Sequence, residues 1–324
     1  MDKSTRLPTT PLIVFVVGCT ASGKASLSHR LALELGAEIV SIDSMKVYRQ
    51  MDIGTAKPPR EWQEQVKYHL IDVVDPCDSF SAARFVELAD TAIENIHTQG
   101  RPVIGSGGTA LYLKTLTEGM FAAPPSDPQL RQKLRLLAEN QGPEFLHSRL
   151  QQIDAEAAQR IHPNDLRRIV RALEVFELTG QPISRLQSQF GTLRDDYRML
   201  FIGLRHDRDK INRRINARVK RMIEEGLVDE VEKLHRRQPP LSDQARQALG
   251  YAEIIDYLEK KYDLDTAIEK IKINTRRFAK SQRTWFRQMR HIEWFDVPEE
   301  GQPLDLVEPI RQRISGWIGE MNSQ

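Results

Sequence analysis

The segment Gly18-Cys-Thr-Ala-Ser-Gly-Lys-Ala-Ser26 lies between an apolar run, Leu12–Val17, and a stretch with apolar residues at helical spacing that ends at Gly36. A buried strand that enters a glycine-bounded loop, from which a helix leaves, is the setting of a phosphate-binding loop. The glycines allow backbone N–H groups to face an anion, the start of the helix adds unpaired donors, and Lys24 adds a positive charge. An ordinary strand–turn–helix is the alternative, and the spacing of the glycines and the lysine favours phosphate binding over it.

The residue after Lys24 departs from the usual phosphate loop. Ser or Thr normally stands there and binds Mg²⁺ through its hydroxyl, whereas this chain has Ala25, with the hydroxyl one residue later on Ser26. Successive helical residues point about 100° apart, so Ser26 cannot simply take over this role. The pattern therefore predicts phosphate binding and leaves open whether Ser26 or water completes a metal site.

The composition is that of a globular protein in a reducing compartment. The chain has 324 residues, of which 40% are hydrophobic and 28% are charged, and its net charge of +2 does not by itself indicate a partner. Cys19 and Cys77 form neither a disulfide framework nor a metal-ligand spacing. No apolar run is long enough to span a membrane, and residues 1–10 lack the apolar core of a signal peptide. We therefore expect a cytoplasmic protein that does not enter a membrane.

Strands alternate with helices over the first third of the chain. Further short strands are predicted at 37–42, 70–74 and 102–104. This alternation predicts a parallel sheet with right-handed crossovers, which binds ligands at the carboxyl ends of its strands. The phosphate loop, Asp43 and Thr109 follow three of these strands, so we expect them at one edge of the sheet.

The segment Pro124-Pro-Ser-Asp-Pro128 interrupts this alternation. Residues 129–189 have helical periodicity, a strand pattern returns at 199–204, and the rest of the chain is predicted to be helical and basic. The predicted fold class is α/β, a P-loop NTPase-like parallel sheet with flanking helices and an inserted all-helical domain. We place the core at residues 11–123 and 198–310, and the insertion at residues 124–197.

Two polar residues end predicted strands, and each has more than one interpretation. Asp43 stands where a Walker B aspartate would hold Mg²⁺, so a metal ligand, a general base and a simple turn residue all remain open. Thr109 follows Gly107-Gly108 and, taken alone, is most simply the N-cap of the next helix.

Basic residues crowd the last third of the chain. Arg213, Arg214, Arg218 and Arg221 have helical spacing, and no acidic residue occurs from Lys270 to Arg290. Positive charge interleaved with aromatic residues suits an RNA backbone and its unpaired bases, so we favour nucleic-acid binding over a solvated helix face. The basic residues of this stretch include Lys272, Arg276, Arg277, Lys280, Arg283 and Arg287, and the aromatic ones are Phe278, Trp285 and Phe286.

Segments along nearly the whole chain match, in order, the motifs of one family, and the chain resembles the tRNA dimethylallyltransferases, also called tRNA isopentenyltransferases. The departures from the family pattern are Cys19 for Pro, Ala25 for Thr, Ser106 for Val and Ser281 for Arg. The matching segments are Gly18-Cys-Thr-Ala-Ser-Gly-Lys24, Ile42-Asp-Ser44, Met51-Asp-Ile-Gly-Thr-Ala-Lys-Pro58, Gly107-Gly-Thr-Ala-Leu-Tyr112, Ile161-His-Pro-Asn-Asp165, Arg171-Ala-Leu-Glu174, Gln247-Ala-Leu-Gly-Tyr251 and Thr284-Trp-Phe-Arg287.

The resemblance implies transfer of a dimethylallyl group from dimethylallyl diphosphate to the exocyclic amine of the adenosine 3′-adjacent to the anticodon in tRNA. It implies that Asp43 accepts the proton of the attacking amine, that Thr109 orients that amine, and that Mg²⁺ is the cofactor. The diphosphate would then be bound by Gly18, Cys19, Thr20, Ala21, Ser22, Gly23, Lys24, Ala25 and Arg218.

The resemblance also implies that the anticodon stem-loop of tRNA is a partner, with the target base extruded into the site as in other base-modifying enzymes. We expect a monomer. The tRNA contacts carried over from the family are Asp43, Ser44, Met45, Lys46, Thr109, Arg131, Arg167, Arg168, Ile169, Val170, Arg171, Arg246, Gln247, Gly250, Tyr251, Lys280, Arg283 and Arg287.

Other functions are consistent with parts of the sequence. A small-molecule or nucleotide kinase would use the phosphate loop, but it favours Ser or Thr at Ala25 and gives the basic last third no role. A tRNA-binding protein that has lost its chemistry through Ala25 would bind RNA without forming product. A transferase acting on free adenine nucleotides would not need the helical insertion.

Overall fold

The apolar run Leu12–Val17 forms strand β1, and all six of its residues are buried. Burial on both faces is typical of a central parallel strand. The structure, a computed structural model, describes residues 10–120, 124–187 and 190–322. In this part of the chain β1 belongs to a six-stranded sheet of order β3-β2-β4-β1-β5-β6, in which every adjacent pair is parallel. The other strands are β2 (Glu38–Ile42), β3 (Tyr68–His69), β4 (Val103–Gly107), β5 (Arg198–Arg205) and β6 (Ile292–Asp296).

The chain forms two compact units, one from the segments up to Leu116 and after Asp195, and the other from Thr117–Arg194. The first unit contains the sheet and its flanking helices, which confirms the predicted fold class. These helices are α1 (Lys24–Leu35), α2 (Arg60–Gln65), α3 (Ala82–Thr98), α4 (Ala110–Glu118, which runs into the second unit), and, after the insertion, α10 (Arg208–Glu224), α11 (Leu227–His235), α12 (Asp243–Arg246), α13 (Tyr251–Leu258), α14 (Leu264–Phe286), a 3₁₀ turn (Pro303–Leu306) and α15 (Val307–Asn322).

The described part of the second unit contains helices and no strand, as the interrupted alternation predicts. Asp127 caps α5 by accepting hydrogen bonds from the backbone N–H groups of Gln129 and Leu130. Its apolar core includes Leu134, Leu146, Ile169 and Leu173. The helices of this unit are α5 (Pro128–Gln141), α6 (Pro143–Ile153), α7 (Ala155–Arg160), α8 (Leu166–Thr179) and α9 (Ile183–Leu186).

Two predictions about strands were wrong. Residues 70–74 are not a strand, because Leu70 and Asp72 have φ angles of 62° and 56°, which a strand backbone does not adopt. The last third is not wholly helical, because Ile292–Asp296 forms β6 beside β5. This strand is only partly buried at the edge of the sheet, so its sequence lacks the continuous apolar run that marks β1.

The strand order places three predicted site segments next to one another. β4 lies between β2 and β1, so the chain after Ile42, after Gly107 and after Val17 leaves the sheet at neighbouring carboxyl ends. The contact is close, since a Cβ atom on Gly107 would lie 2.0 Å from the carbonyl oxygen of Ile42. No helix in the described part of the chain combines the length and the apolar character that crossing a membrane requires.

The motif at 51–58 is anchored by the carboxylate of Glu230. The hydroxyl of Tyr251 donates a hydrogen bond of 2.5 Å to the same carboxylate. Two of the family motifs therefore meet at one partly buried acid. The carboxylate also accepts three successive backbone N–H groups, those of Asp52 (3.0 Å), Ile53 (2.8 Å) and Gly54 (3.2 Å).

We predict that Gly54→Ala destabilises the protein by about 1–3 kcal/mol, the usual cost of overpacking. A Cβ atom at Gly54 would lie 2.3 Å from Cε2 of Tyr251, a ring that is fully buried and cannot give way. Gly316→Ala in α15 is the matched control, because nothing lies within 4 Å of its Cβ position. Urea denaturation should show a lower midpoint for the first variant only, and equal midpoints would contradict this packing argument.

Candidate active site

The loop between β1 and α1 wraps around the ammonium group of Lys24. Nζ of Lys24 donates a hydrogen bond of 3.1 Å to the carbonyl oxygen of Cys19. Ala21 and Gly23 have φ angles of 63° and 85°, so the backbone turns sharply before the helix begins. The first turn of α1 has no acidic residue and no side-chain cap, which leaves its backbone donors and positive dipole end to an anion. The geometry is that of an anion-binding loop.

Two arginines of α10 reach this loop from one face of their helix. Nε of Arg214 donates to the carbonyl oxygen of Ala21 at 2.7 Å, and Nη1 of Arg218 donates to Oγ1 of Thr20 at 3.3 Å. The two residues are four positions apart, so they lie on the same face. Arg218 was predicted from the resemblance. Arg214 was noted among the arginines with helical spacing but was not predicted to bind the diphosphate. Its position four residues before Arg218, on the same helix face, was the signal that could have identified it as a site residue.

Positive charges crowd the site. The pKa of Lys24 is lowered to about 8, mainly by burial and further by the nearby charges of Lys46 and Arg218. Burial also lowers the pKa of Lys46 and of Arg218, whereas the carboxylate of Asp43 acts in the opposite direction on all three. The site therefore contains one carboxylate among several cations, an arrangement that a polyanionic ligand would stabilise.

Asp43 and Thr109 are held together by backbone hydrogen bonds. The N–H groups of Gly108 and Thr109 both donate to the carbonyl oxygen of Ile42 at 3.2 Å. In return, the N–H of Ser44 donates to Oγ1 of Thr109 at 3.0 Å. Thr109 is thus more than a possible cap for α4, since its hydroxyl fixes the turn that begins at Asp43.

Oδ1 of Asp43 stabilises that same turn. It accepts hydrogen bonds from the backbone N–H groups of Met45 (2.9 Å) and Lys46 (3.3 Å). Ser44, Met45 and Lys46, which were predicted to contact tRNA, therefore form a half-buried turn beside the carboxylate. A turn residue and a chemical group are not exclusive interpretations of Asp43, because the second carboxylate oxygen is not used by these two contacts.

Two site residues were missed in the sequence. Gln282 of α14 is buried, and its side chain hydrogen-bonds to the backbone of Thr20 and of Gly108. His206 follows β5, and its Nε2 lies 2.7 Å from the carbonyl oxygen of Ser22. Burial lowers the pKa of His206, so the neutral imidazole donates this hydrogen bond. The contacts of these two residues with the loop were not predicted, because both reach the loop from positions distant in the chain.

A divalent metal would find few protein ligands here. Within the described residues, no group of three or more His, Cys, Asp or Glu side chains could hold a metal ion. Mg²⁺ is often bound by only one or two carboxylates together with substrate phosphates and water, so Asp43 alone fits this role. Ser26 does not replace the missing hydroxyl of Ala25, since its Oγ donates to the carbonyl oxygen of Gly23 at 2.9 Å.

The residues predicted to contact tRNA in the first unit differ in exposure. On α14, Lys280 and Arg287 are exposed and Arg283 is half-buried. Arg246 and Gln247 are exposed, and Arg246 is paired with Glu259. Gly250 and Tyr251 are buried, with the Tyr251 hydroxyl bound to Glu230, so this tyrosine supports the fold around the motif at 51–58.

In the second unit, Arg167 and Arg168 are exposed, with Arg168 3.3 Å from Asp165, whereas the other two predicted arginines bind a buried carboxylate. Arg131 and Arg171 both pair with the fully buried carboxylate of Glu174, Arg131 through two hydrogen bonds of 2.8 and 2.9 Å. Ile169 and Val170 pack in the apolar core of the unit, so a tRNA contact through either side chain would require that core to open.

Comparison with known proteins agrees with this geometry. The chain matches the family model described as IPP transferase over residues 46–289. The chain belongs to the IPP transferase family. Similar curated members are the tRNA dimethylallyltransferases of Geobacter metallireducens, 48% identical over 88% of this chain and 93% of that protein, and of Geobacillus thermodenitrificans, 46% identical over 95% and 98%. The resemblance seen in the sequence is thereby confirmed.

Solved structures of IPP transferases are also similar. The full-length tRNA isopentenylpyrophosphate transferase of Bacillus halodurans has a TM-score of 0.70 at 41% identity, with 96% of this chain and 98% of that chain covered. A eukaryotic dimethylallyltransferase acting on tRNA has a TM-score of 0.73 at 28% identity, over 89% of this chain and 74% of that one. Fold and family therefore agree.

We predict that binding of dimethylallyl diphosphate weakens as pH rises through about 8, the lowered pKa of Lys24. The bound anion stabilises the protonated lysine, so its pKa is higher in the complex than in the free protein. The association constant should be nearly constant just below this range and then fall by up to about tenfold per pH unit. The donor's own phosphate ionisation, near pH 6, lies below the range. Calorimetric titrations at several pH values would measure this.

Lys24→Met is the control for this pH dependence. The variant should bind the diphosphate more weakly at neutral pH and should lose the decline above pH 8, the region set by Lys24 in the native protein. An equal decline in Lys24→Met would assign the pH dependence to another group.

Proposed function

We propose that this protein transfers the dimethylallyl group of dimethylallyl diphosphate to the exocyclic amine of the adenosine 3′-adjacent to the anticodon in tRNA. The observation that carries the proposal is the arrangement at neighbouring strand ends. A cationic anion-binding loop after β1 lies beside the Asp43 turn after β2 and the Thr109 turn after β4. Membership of the IPP transferase family supports the same activity.

The loop and α10 would act on the leaving group. In the free protein Nζ of Lys24 is bound to the carbonyl oxygen of Cys19, a contact that it would exchange for a phosphate oxygen. Lys24, Arg218, Arg214 and the donors at the start of α1 would stabilise the negative charge that grows on the diphosphate as the allylic carbon–oxygen bond breaks. Mg²⁺ bound to the diphosphate would neutralise part of that charge.

Asp43 and Thr109 would act on the attacking amine. The amine nitrogen forms a bond to the allylic carbon, the carbon–oxygen bond breaks, and the amine proton passes to the Asp43 carboxylate. Because Oγ1 of Thr109 accepts only one hydrogen bond from Ser44, its second lone pair is able to accept one from the amine and orient it. An adenine amine is a weak nucleophile, so orientation and proton removal both contribute.

The basic face at the C-terminal end of α14, with exposed Lys280 and Arg287 and half-buried Arg283, supports tRNA as the acceptor. We infer that this face contacts backbone phosphates of the anticodon stem-loop and that the target adenosine leaves its stack to reach Asp43. The exposed residues Arg167 and Arg168 would add contacts from the second unit.

The decisive test is incubation of the protein with unmodified tRNA and dimethylallyl diphosphate labelled in the prenyl group. We expect label in tRNA, and label in an isolated anticodon stem-loop RNA at a lower rate. The same RNA with guanosine in place of the target adenosine is the control and should remain unlabelled. Binding without label would favour a tRNA-binding protein that lacks the chemistry, and ATP turnover without label would favour a kinase.

We predict that Asp43→Asn lowers kcat by about 10²–10⁴, the usual contribution of a general base. The asparagine oxygen is still able to accept the N–H groups of Met45 and Lys46, so the turn is retained while the proton acceptor is lost. The affinity for tRNA should stay within a few-fold of the native value. Near-native turnover would refute the base assignment, and loss of Mg²⁺-dependent donor binding alone would make Asp43 a metal ligand.

We predict that Ala25→Thr raises the transfer rate at limiting donor concentration. A hydrogen bond to a charged group is worth about 1.5–3 kcal/mol, so a restored hydroxyl should improve donor KM by roughly 10- to 150-fold. Residue 25 is exposed in the first turn of α1, so the larger side chain has room. Ser26→Ala is the control and should leave donor KM nearly unchanged, because Ser26 bonds only to the Gly23 carbonyl in this loop. An unchanged KM in Ala25→Thr would indicate a site already adapted to the smaller residue.

A further inference from the structure

Gln282 is a buried amide that joins the two loops of the site. Its Oε1 accepts the backbone N–H of Thr20 at 2.8 Å, and its Nε2 donates to the carbonyl oxygen of Gly108 at 2.8 Å. The side chain is only 5% exposed. Because one partner is a donor and the other an acceptor, only one orientation of the amide satisfies both, and the side chain has a single defined position.

This pair of hydrogen bonds, the Gln282 bridge, restricts the movement of both loops. A Cβ atom on Gly108 would lie 2.5 Å from Nε2 of Gln282, so the glycine permits a contact that a larger residue would prevent. Gly108 also donates its N–H to Ile42, and the next residue is Thr109. One amide therefore sets the separation between the loop that would hold the donor and the hydroxyl that would orient the acceptor.

The position of Gln282 on its helix is fixed by packing. Ala279, Gln282 and Phe286 are buried on one face of α14, while Lys280 and Arg287 are exposed on the other. The helix is also tied to α10, which carries Arg218, by a hydrogen bond of 3.3 Å from Arg276 to Asn216. The amide is thus presented by a rigid element and not by a loop, as accurate positioning requires.

We propose that Gln282 is a positioning residue that sets the distance between the allylic carbon of the bound donor and the attacking amine. The proposal rests on the proposed function. Gln282 acts through Thr20 and Gly108, so each substrate keeps its own contacts when the bridge is removed. The loss should appear in the chemical step, where a displacement of about 1 Å costs roughly 10²-fold in rate.

The first test is Gln282→Met, which keeps the length of the side chain and removes both hydrogen bonds. We expect kcat to fall by about 10- to 100-fold, with the Kd values for dimethylallyl diphosphate and for tRNA within about threefold of native. Gln244→Met is the matched control. That glutamine also bridges segments of the first unit, accepting from Tyr48 (3.0 Å) and Phe80 (2.8 Å) and donating to the Phe80 carbonyl (3.2 Å).

The control separates positioning from general stability. Both variants should lower the melting temperature, but only Gln282→Met should lower kcat. An unchanged kcat in Gln282→Met, a fall in donor or tRNA affinity as large as the fall in kcat, or an equal loss of kcat in Gln244→Met would each overturn the proposal. A native protein that transfers no label would overturn the proposed function itself, and this inference with it.

A double-mutant cycle with Thr109→Val tests whether Gln282 acts by placing Thr109. If Gln282 acts by placing Thr109, its replacement should cost much less kcat once the Thr109 hydroxyl is absent. Independent, multiplicative losses of kcat would show that Gln282 does not act through Thr109.

Discussion

The carbonyl oxygen of Ile42 holds the carboxyl ends of two neighbouring strands together. It accepts the N–H groups of both Gly108 and Thr109, and the chain approaches so closely at Gly107 that no side chain fits there. Asp43 is the next residue along β2, so its position and that of Thr109 are set by one junction. The roles proposed for Asp43 and Thr109 depend on this junction, because a carboxylate and a hydroxyl act on the same amine only if their separation is fixed.

Around this rigid junction the electrostatics are unfavourable in the free protein. Lys24, Lys46 and Arg218 are close enough to affect one another's pKa, and burial removes the water that would screen them. A folded chain keeps such a cluster when a ligand of opposite charge offsets the repulsion, so a bound diphosphate should stabilise the protein as well as react. Asp43 offsets only part of the charge. The same crowding that costs stability prepares the site to accept the charge of a departing diphosphate.

How much of the fold and of the site was predictable from the sequence depended on how far apart in the chain the interacting residues lie. The phosphate loop, Asp43 and Thr109 follow from local signals, a buried strand and a turn. Gln282 was not predictable, because its partners lie 262 and 174 residues away in the chain. Residues 70–74 have the composition of a strand, yet left-handed φ angles at Leu70 and Asp72 prevent one. Ile169 lies on the buried face of α8, a placement that the helical periodicity of this region favours, and the tRNA contact that the family resemblance implied for this segment stays a prediction.

The turn at residues 298–303, near the C-terminal end of the chain, packs against the phosphate loop. A Cβ atom on Gly23 would lie 2.3 Å from Cγ of Pro303, so the 3₁₀ turn that begins at Pro303 packs directly on the loop. The position of Pro303 is fixed in turn by the buried ammonium of Lys210, which donates to the carbonyl oxygens of Pro298, Glu299 and Gly301 at 2.7, 2.9 and 2.7 Å. Both the loop and this support lie outside residues 46–289, the part matched by the family model. The anion-binding geometry of Gly23 therefore depends on a segment nearly three hundred residues further along the chain, and a change in the 298–303 turn would reach the site through packing alone.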